Sequence, residues 1–81
     1  MSPLEPLRPA AQPPSPADNI RAEMARQRRT QQDVALLLGV SQTAVSRRLT
    51  GSIPFDVSEL LTVARWLGVS AASLLGERAA A

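Results

Sequence analysis

The sequence contains no cysteine, no histidine and no tyrosine, and none of its nine basic residues is lysine. Each absence closes a class of function. Without cysteine there is no disulfide framework and no thiolate metal site. Without histidine the usual general base near neutral pH is missing, together with the commonest imidazole ligand. No nucleophile–base pair or phosphate-cradling loop replaces them. Glu23 and Asp33 are the nearest thing to an acid–base pair. They read better as solvated helix residues, Asp33 being suited to the positive end of a helix. Catalysis, a metal and a cofactor are therefore not expected. No apolar run approaches the ~20 residues that span a bilayer. The N-terminus has Pro, Glu and Ser where a secretory signal has a basic stretch and an apolar core. The expectation is a soluble protein of the cytoplasm with no membrane partner.

What is present is unevenly distributed. Six of the seven prolines fall within the first sixteen residues. Residues 1–14 cannot bury enough apolar surface to offset chain entropy and read as a disordered tail. Residues 77–81 read as a short flexible end, which leaves one domain over 15–76. A unit of about 60 residues buries only about 60% of its unfolded-chain surface, so its helices must pack well or gain a partner. Net charge is only +2, but Arg21, Arg26, Arg28, Arg29, Arg47 and Arg48 lie between positions 21 and 48. Arginine presents a planar fork that grips phosphate or guanine at two points.

Helical spacing runs throughout, and nothing reads as a strand. Ser15-Pro16 with Asp18 predicts a capped helix to about Arg28, with Ala17, Ile20 and Met24 on one face. Thr30 with Asp33 opens a second helix, Gln31 to Leu38, which buries Val34, Ala35 and Leu38. Gly39 stops it. Ser41 caps a third, with Val40 stapled onto Val45 across the cap and Leu49 buried beside Val45. Asp56 with Glu59 is a capping box, Phe55 and Leu60 its staple. That fourth helix runs to about Leu67 with a stripe of Val57, Leu60, Leu61, Ala64 and Leu67. Gly68 ends it, and Ser70 caps a short fifth helix through Leu75. The fold class is all-α.

Function is concentrated in Thr30 to Gly51. Two helices of about eight residues meet at Gly39-Val40-Ser41. Glycine permits the left-handed backbone of a sharp turn, and small Ala35 lets the helices approach. That is the steric requirement of a helix-turn-helix whose second helix keeps its outer face free. With Val45 and Leu49 turned inward, Gln42, Thr43, Ser46, Arg47 and Thr50 project outward or sideways. Glutamine can bond adenine at two points, arginine can do so with guanine, and a threonine methyl can meet that of thymine. The chemistry points to double-stranded DNA.

Ile20 to Leu75 resembles the phage repressor and Cro-like helix-turn-helix family, which has the lambda-repressor-like fold. The likeness rests on TQQDVA at 30–35, LGVSQTAVSR at 38–47, Gly51 and LLTVARWLGVS at 60–70. It implies a compact four- to five-helix domain with the third helix in the major groove. It also implies base reading by Gln42, Thr43 and Arg47, with Ser46 a further candidate on the same face. Gln31 would contact phosphate from a helix N-terminus, and Ser41, Arg48 and Thr50 would touch the DNA backbone, which positions without specifying. Three departures stand out. Arg29 occupies a position that is usually apolar, Arg48 one that is often apolar or aromatic, and Thr50 replaces a frequent asparagine. Burial is expected to pass to Leu49, leaving Arg48 free for phosphate.

The function expected is a transcriptional regulator, a repressor that occupies an operator on the nucleoid. The alternative from another class is a protein-interaction module such as an antitoxin or adaptor, which would carry apolar anchors on the outer face of the third helix. Trp66 lies opposite the stripe of the fourth helix, either packed under the fifth or placed in a subunit interface. A homodimer on paired half-sites, formed through the helix-5 region and Trp66, is expected. Leu36 reads as a plain exposed leucine.

Overall fold

The computed structural model describes residues 15–76; the segments 1–14 and 77–81, read above as tails, lie outside the described residues. Five helices and no strand are found among them: α1 (Pro16–Gln27), α2 (Gln31–Leu38), α3 (Gln42–Leu49), α4 (Val57–Leu67) and α5 (Ala71–Leu74). The all-α expectation holds.

Every helix starts at a side-chain cap. Ser15, Thr30 and Asp56 each accept from the backbone N–H three residues on, and Asp18, Asp33 and Glu59 each return the bond to the capping residue. Ser41 and Ser70 cap α3 and α5 in one direction only, through Ala44 N at 3.0 Å and Ser73 N at 3.0 Å. Such caps satisfy N–H groups that have no partner inside the helix. Helix α2 ends on Gly39 in the left-handed conformation (φ 70°), as the turn requires. Helix α1 ends the same way on Arg28 (φ 59°), where an L side chain is strained.

The core joins all five helices through Ile20, Met24, Val34, Ala35, Val45, Leu49, Leu60, Val63, Ala64, Leu67 and Leu74. Val40 and Phe55 pack against it as half-buried staples. Two expectations are corrected. Val57 and Leu61 are exposed, whereas Val63 is fully buried. The buried stripe of α4 is therefore turned by roughly 45°, about half a residue step. Leu38 is half-buried at the core margin alongside Leu37.

Helix α1 also closes three other helices by hydrogen bonding. Asn19 Nδ2 donates to Leu74 O at 2.7 Å, Arg21 Nη1 to Leu49 O at 2.7 Å and Gln27 Nε2 to Leu67 O at 2.8 Å. The acceptors are last-turn carbonyls of α5, α3 and α4, groups otherwise left to water.

Between α3 and α4 stands an ion pair. Arg48 Nε and Nη2 donate to the two carboxylate oxygens of Glu59 at 3.0 and 3.1 Å, and Nη1 turns back to Ala44 O at 2.9 Å. Both side chains are largely covered, 16% and 17% exposed. The bond from Arg48, with a further one from the Asp56 N–H, holds the Glu59 carboxyl below its ordinary value of 4.5. Hydrogen bonds from Ser15 and Thr30, led by their backbone N–H groups, likewise lower Asp18 and Asp33.

Two outcomes follow from this architecture. Replacing Arg28 by glycine relieves the left-handed strain and is expected to raise the unfolding free energy by about 1 kcal/mol, read from urea denaturation. A loss of stability would contradict the Arg28 conformation. The three lowered carboxyls set the pH response. Each binds its proton less readily in the folded chain than in the unfolded one. Their stabilisation is therefore complete above the ordinary carboxylate range and is lost as pH falls through it. With no histidine, thermal melts should be level from about pH 6 to 8 and decline below about pH 4.5. Glu59→Gln should shrink the acid decline.

Candidate nucleic-acid interface

Helix α3 is two turns long and rests on α1 and α2. Val45 and Leu49, one turn apart, are its buried side chains. The remaining circumference is solvent-facing or lateral. Gln42, Thr43 and Arg47 are exposed and Ser46 is half-buried. Arg47 makes no side-chain hydrogen bond or ion pair among the described residues, while its carbonyl accepts from Ser52 N at 2.9 Å. Its guanidinium thus has no partner among the described residues, on a helix whose backbone is tied down.

The residues assigned to phosphate are less uniform. Gln31 is exposed at the first position of α2, where backbone N–H groups point outward to an anion. Ser41 is exposed, and its oxygen accepts from Ala44 N, which leaves its hydroxyl proton to donate elsewhere. Thr50 is exposed but turned inward: Oγ1 donates to Arg47 O at 3.2 Å and lies 3.3 Å from Ser52 Oγ. Its hydroxyl closes the end of α3. Arg48 departs furthest from expectation. Its guanidinium is held by Glu59 and Ala44, so the structure offers no free arginine fork there for phosphate. The physical reason is the carboxylate of the α4 capping box, which has a second oxygen to spare and faces α3.

Trp66 lines a cleft with residues of α2. Its indole is half-buried at the core margin, with Arg29 Cζ 4.3 Å from the ring centroid. Arg29, Asp33, Leu36 and Leu37 line the shallow cleft around it. Arg29 therefore does at this position what an apolar residue would do, by laying a cation over the indole, a contact of about 0.5–1 kcal/mol at exposed sites. Leu36 is exposed, as read from the sequence.

Sequence reasoning missed Glu59 as the partner of Arg48 and Arg21 as the cap of α3. Both carried a signal: a charged residue in a normally apolar place asks for a counter-ion, and a short helix asks for a C-terminal donor.

Comparison with known proteins agrees with this geometry at the level of family. The BetR domain profile matches residues 16–81, a span that takes in all five helices. No curated protein and no solved structure matches the chain. With two thirds and more of its residues inside that match, and a helix-turn-helix at their centre, the chain belongs to the BetR domain family, small helical domains linked to transcription regulation.

Proposed function

We propose that the chain binds double-stranded DNA sequence-specifically, with α3 in the major groove, and regulates transcription by occupying an operator. The observation that carries this reading is the outer face of α3: Gln42, Thr43 and an Arg47 with no partner among the described residues, exposed together on a helix whose opposite face is buried. Groove insertion is the docking used by phage repressors and Cro proteins, which the sequence resembles. Gln42, Thr43, Ser46 and Arg47 read bases, and Ser41 with the N-terminus of α2 at Gln31 holds phosphate. Thr50 serves α3 itself, and Arg48 is withdrawn from the phosphate set. Repression is the mode assigned, because simple occupancy excludes polymerase without a sensor. Binding, not catalysis, is the activity, and no metal or cofactor takes part.

The dimer assignment shifts its surface. Trp66 is covered by Arg29, but Leu75 at the end of α5 remains half-exposed. Beside it Ile53, Pro54, Phe55 and Val57 line an apolar cleft of about 360 Å³. We assign the homodimer contact to this cleft.

Selection of duplexes from a random pool tests the central reading. The wild type should enrich a motif, and a Gln42→Ala/Arg47→Ala variant should lose it while retaining weak, salt-sensitive binding. If the wild type enriches nothing at moderate salt, the interaction-module reading takes over. Arg47→Ala alone should cost ~1–3 kcal/mol and relax preference at one base position. Sedimentation of the protein on the selected duplex should give two copies per paired site, reduced to one by Leu75→Glu; a single copy for the wild type would sink the dimer.

A further inference from the structure

We infer that the Arg48–Glu59 pair is a positioning device for base reading, one that fixes how α3 is rotated against the rest of the domain. The inference rests on the DNA-binding reading above and adds to it a residue pair that touches no base.

The need for such a device follows from the size of α3. Its buried stripe is two residues, Val45 and Leu49, stacked on a single line. Packing along one line resists translation of a helix but resists rolling about that line only weakly. A roll of about 20° moves a side-chain tip roughly 6 Å from the axis by about 2 Å, more than the length tolerance of a bidentate hydrogen bond. Gln42, Thr43 and Arg47 stand on the face that such a roll displaces.

Helix α3 packs its backbone against α1 and α2 and has no comparable backbone contact with α4. Among the described residues the Arg48–Glu59 pair is the one side-chain hydrogen-bonded bridge from α3 to α4. It sits on the flank of α3, off the Val45–Leu49 line, where a restraint opposes rolling most effectively. Both ends are anchored. Glu59 Oε1 also accepts from Asp56 N at 3.1 Å, in the first turn of a helix fixed by Leu60, Val63, Ala64 and Leu67. Arg48 Nη1 folds back onto Ala44 O within α3. Two parallel bonds between planar groups fix an orientation as well as a distance. A lysine would supply only a point charge. The pair also neutralises Arg48, so that its charge does not add to indiscriminate attraction by phosphate.

The readout is discrimination: the ratio of affinities for the selected duplex and a scrambled one, at one salt concentration. Arg48→Met/Glu59→Met removes the pair while filling its volume, because single truncation of a covered pair leaves an uncompensated charge. The variant should melt cooperatively and bind scrambled duplex within about threefold of wild type, yet lose at least tenfold in discrimination. Arg48→Lys should restore only part of it. Glu59→Gln preserves the acceptor for Asp56 N but frees the charge of Arg48. It should lower discrimination and steepen the salt dependence of scrambled-duplex binding by about one ion. Should the double variant fail to fold, Glu59→Gln and Arg48→Lys decide. Unchanged discrimination in folded variants overturns the positioning role. Absence of discrimination in the wild type itself would instead overturn the DNA-reading proposal on which this one stands.

Discussion

Short helices end badly: their last carbonyls have no partner in their own ladder, and five short helices multiply the problem. Here α1 answers it for three of the others. Asn19, Arg21 and Gln27 project from one helix onto Leu74 O, Leu49 O and Leu67 O. The same helix also supplies Ile20 and Met24 to the core. Helix α1 is thus both the apolar floor of the domain and the donor that closes α3, α4 and α5. A chain this small, with no disulfide, depends on such double use of its longest helix.

The consequence for α3 is that it is held from three sides with very little buried area of its own. The turn at Gly39-Val40-Ser41 ties its start to α2. Arg21 closes its end. Arg48 reaches sideways to Glu59 on α4. Those restraints use backbone groups and one flank, and they leave the outer face free of internal obligations. Arg47 stands unpaired among the described residues while Arg48 beside it is fully engaged, and that division makes one arginine available to a partner and the other a strut. The sequence reading sends both arginines to DNA, Arg47 to bases and Arg48 to phosphate, and gives no sign that Arg48 is engaged within the fold.

What was legible in the sequence was local. Caps with their return carboxylates, at Ser15/Asp18, Thr30/Asp33 and Asp56/Glu59, are set by residues three apart, and the structure has all three. Helix bounds and the fold class followed from them and from apolar periodicity. What the sequence does not show depends on which neighbour arrives from elsewhere in the chain. The stripe of α4 could be drawn through Val57 and Leu61 or through Val63, since both satisfy helical spacing; the docking of α4 on α1 and α2 chose Val63. Arg48 reads as free for phosphate once burial passes to Leu49, and its partner Glu59, eleven positions away, reads locally as a capping residue alone. Trp66 is read from the sequence as packed under the fifth helix or set in a subunit interface, because Arg29, its cation partner, lies far from it in sequence. Charge and aromatic partners across long separations leave no periodic trace.

The central claim is that α3 lies in the major groove with Arg47 on a base edge. Interference by guanine N7 methylation tests it directly, because N7 faces the major groove and accepts from an arginine fork there. On a duplex that the protein selects, methylation at one or more guanines should block wild-type binding. Interference at one of those guanines should vanish with Arg47→Ala. Interference confined to adenine N3, in the minor groove, or an identical pattern for the two proteins, would contradict the account.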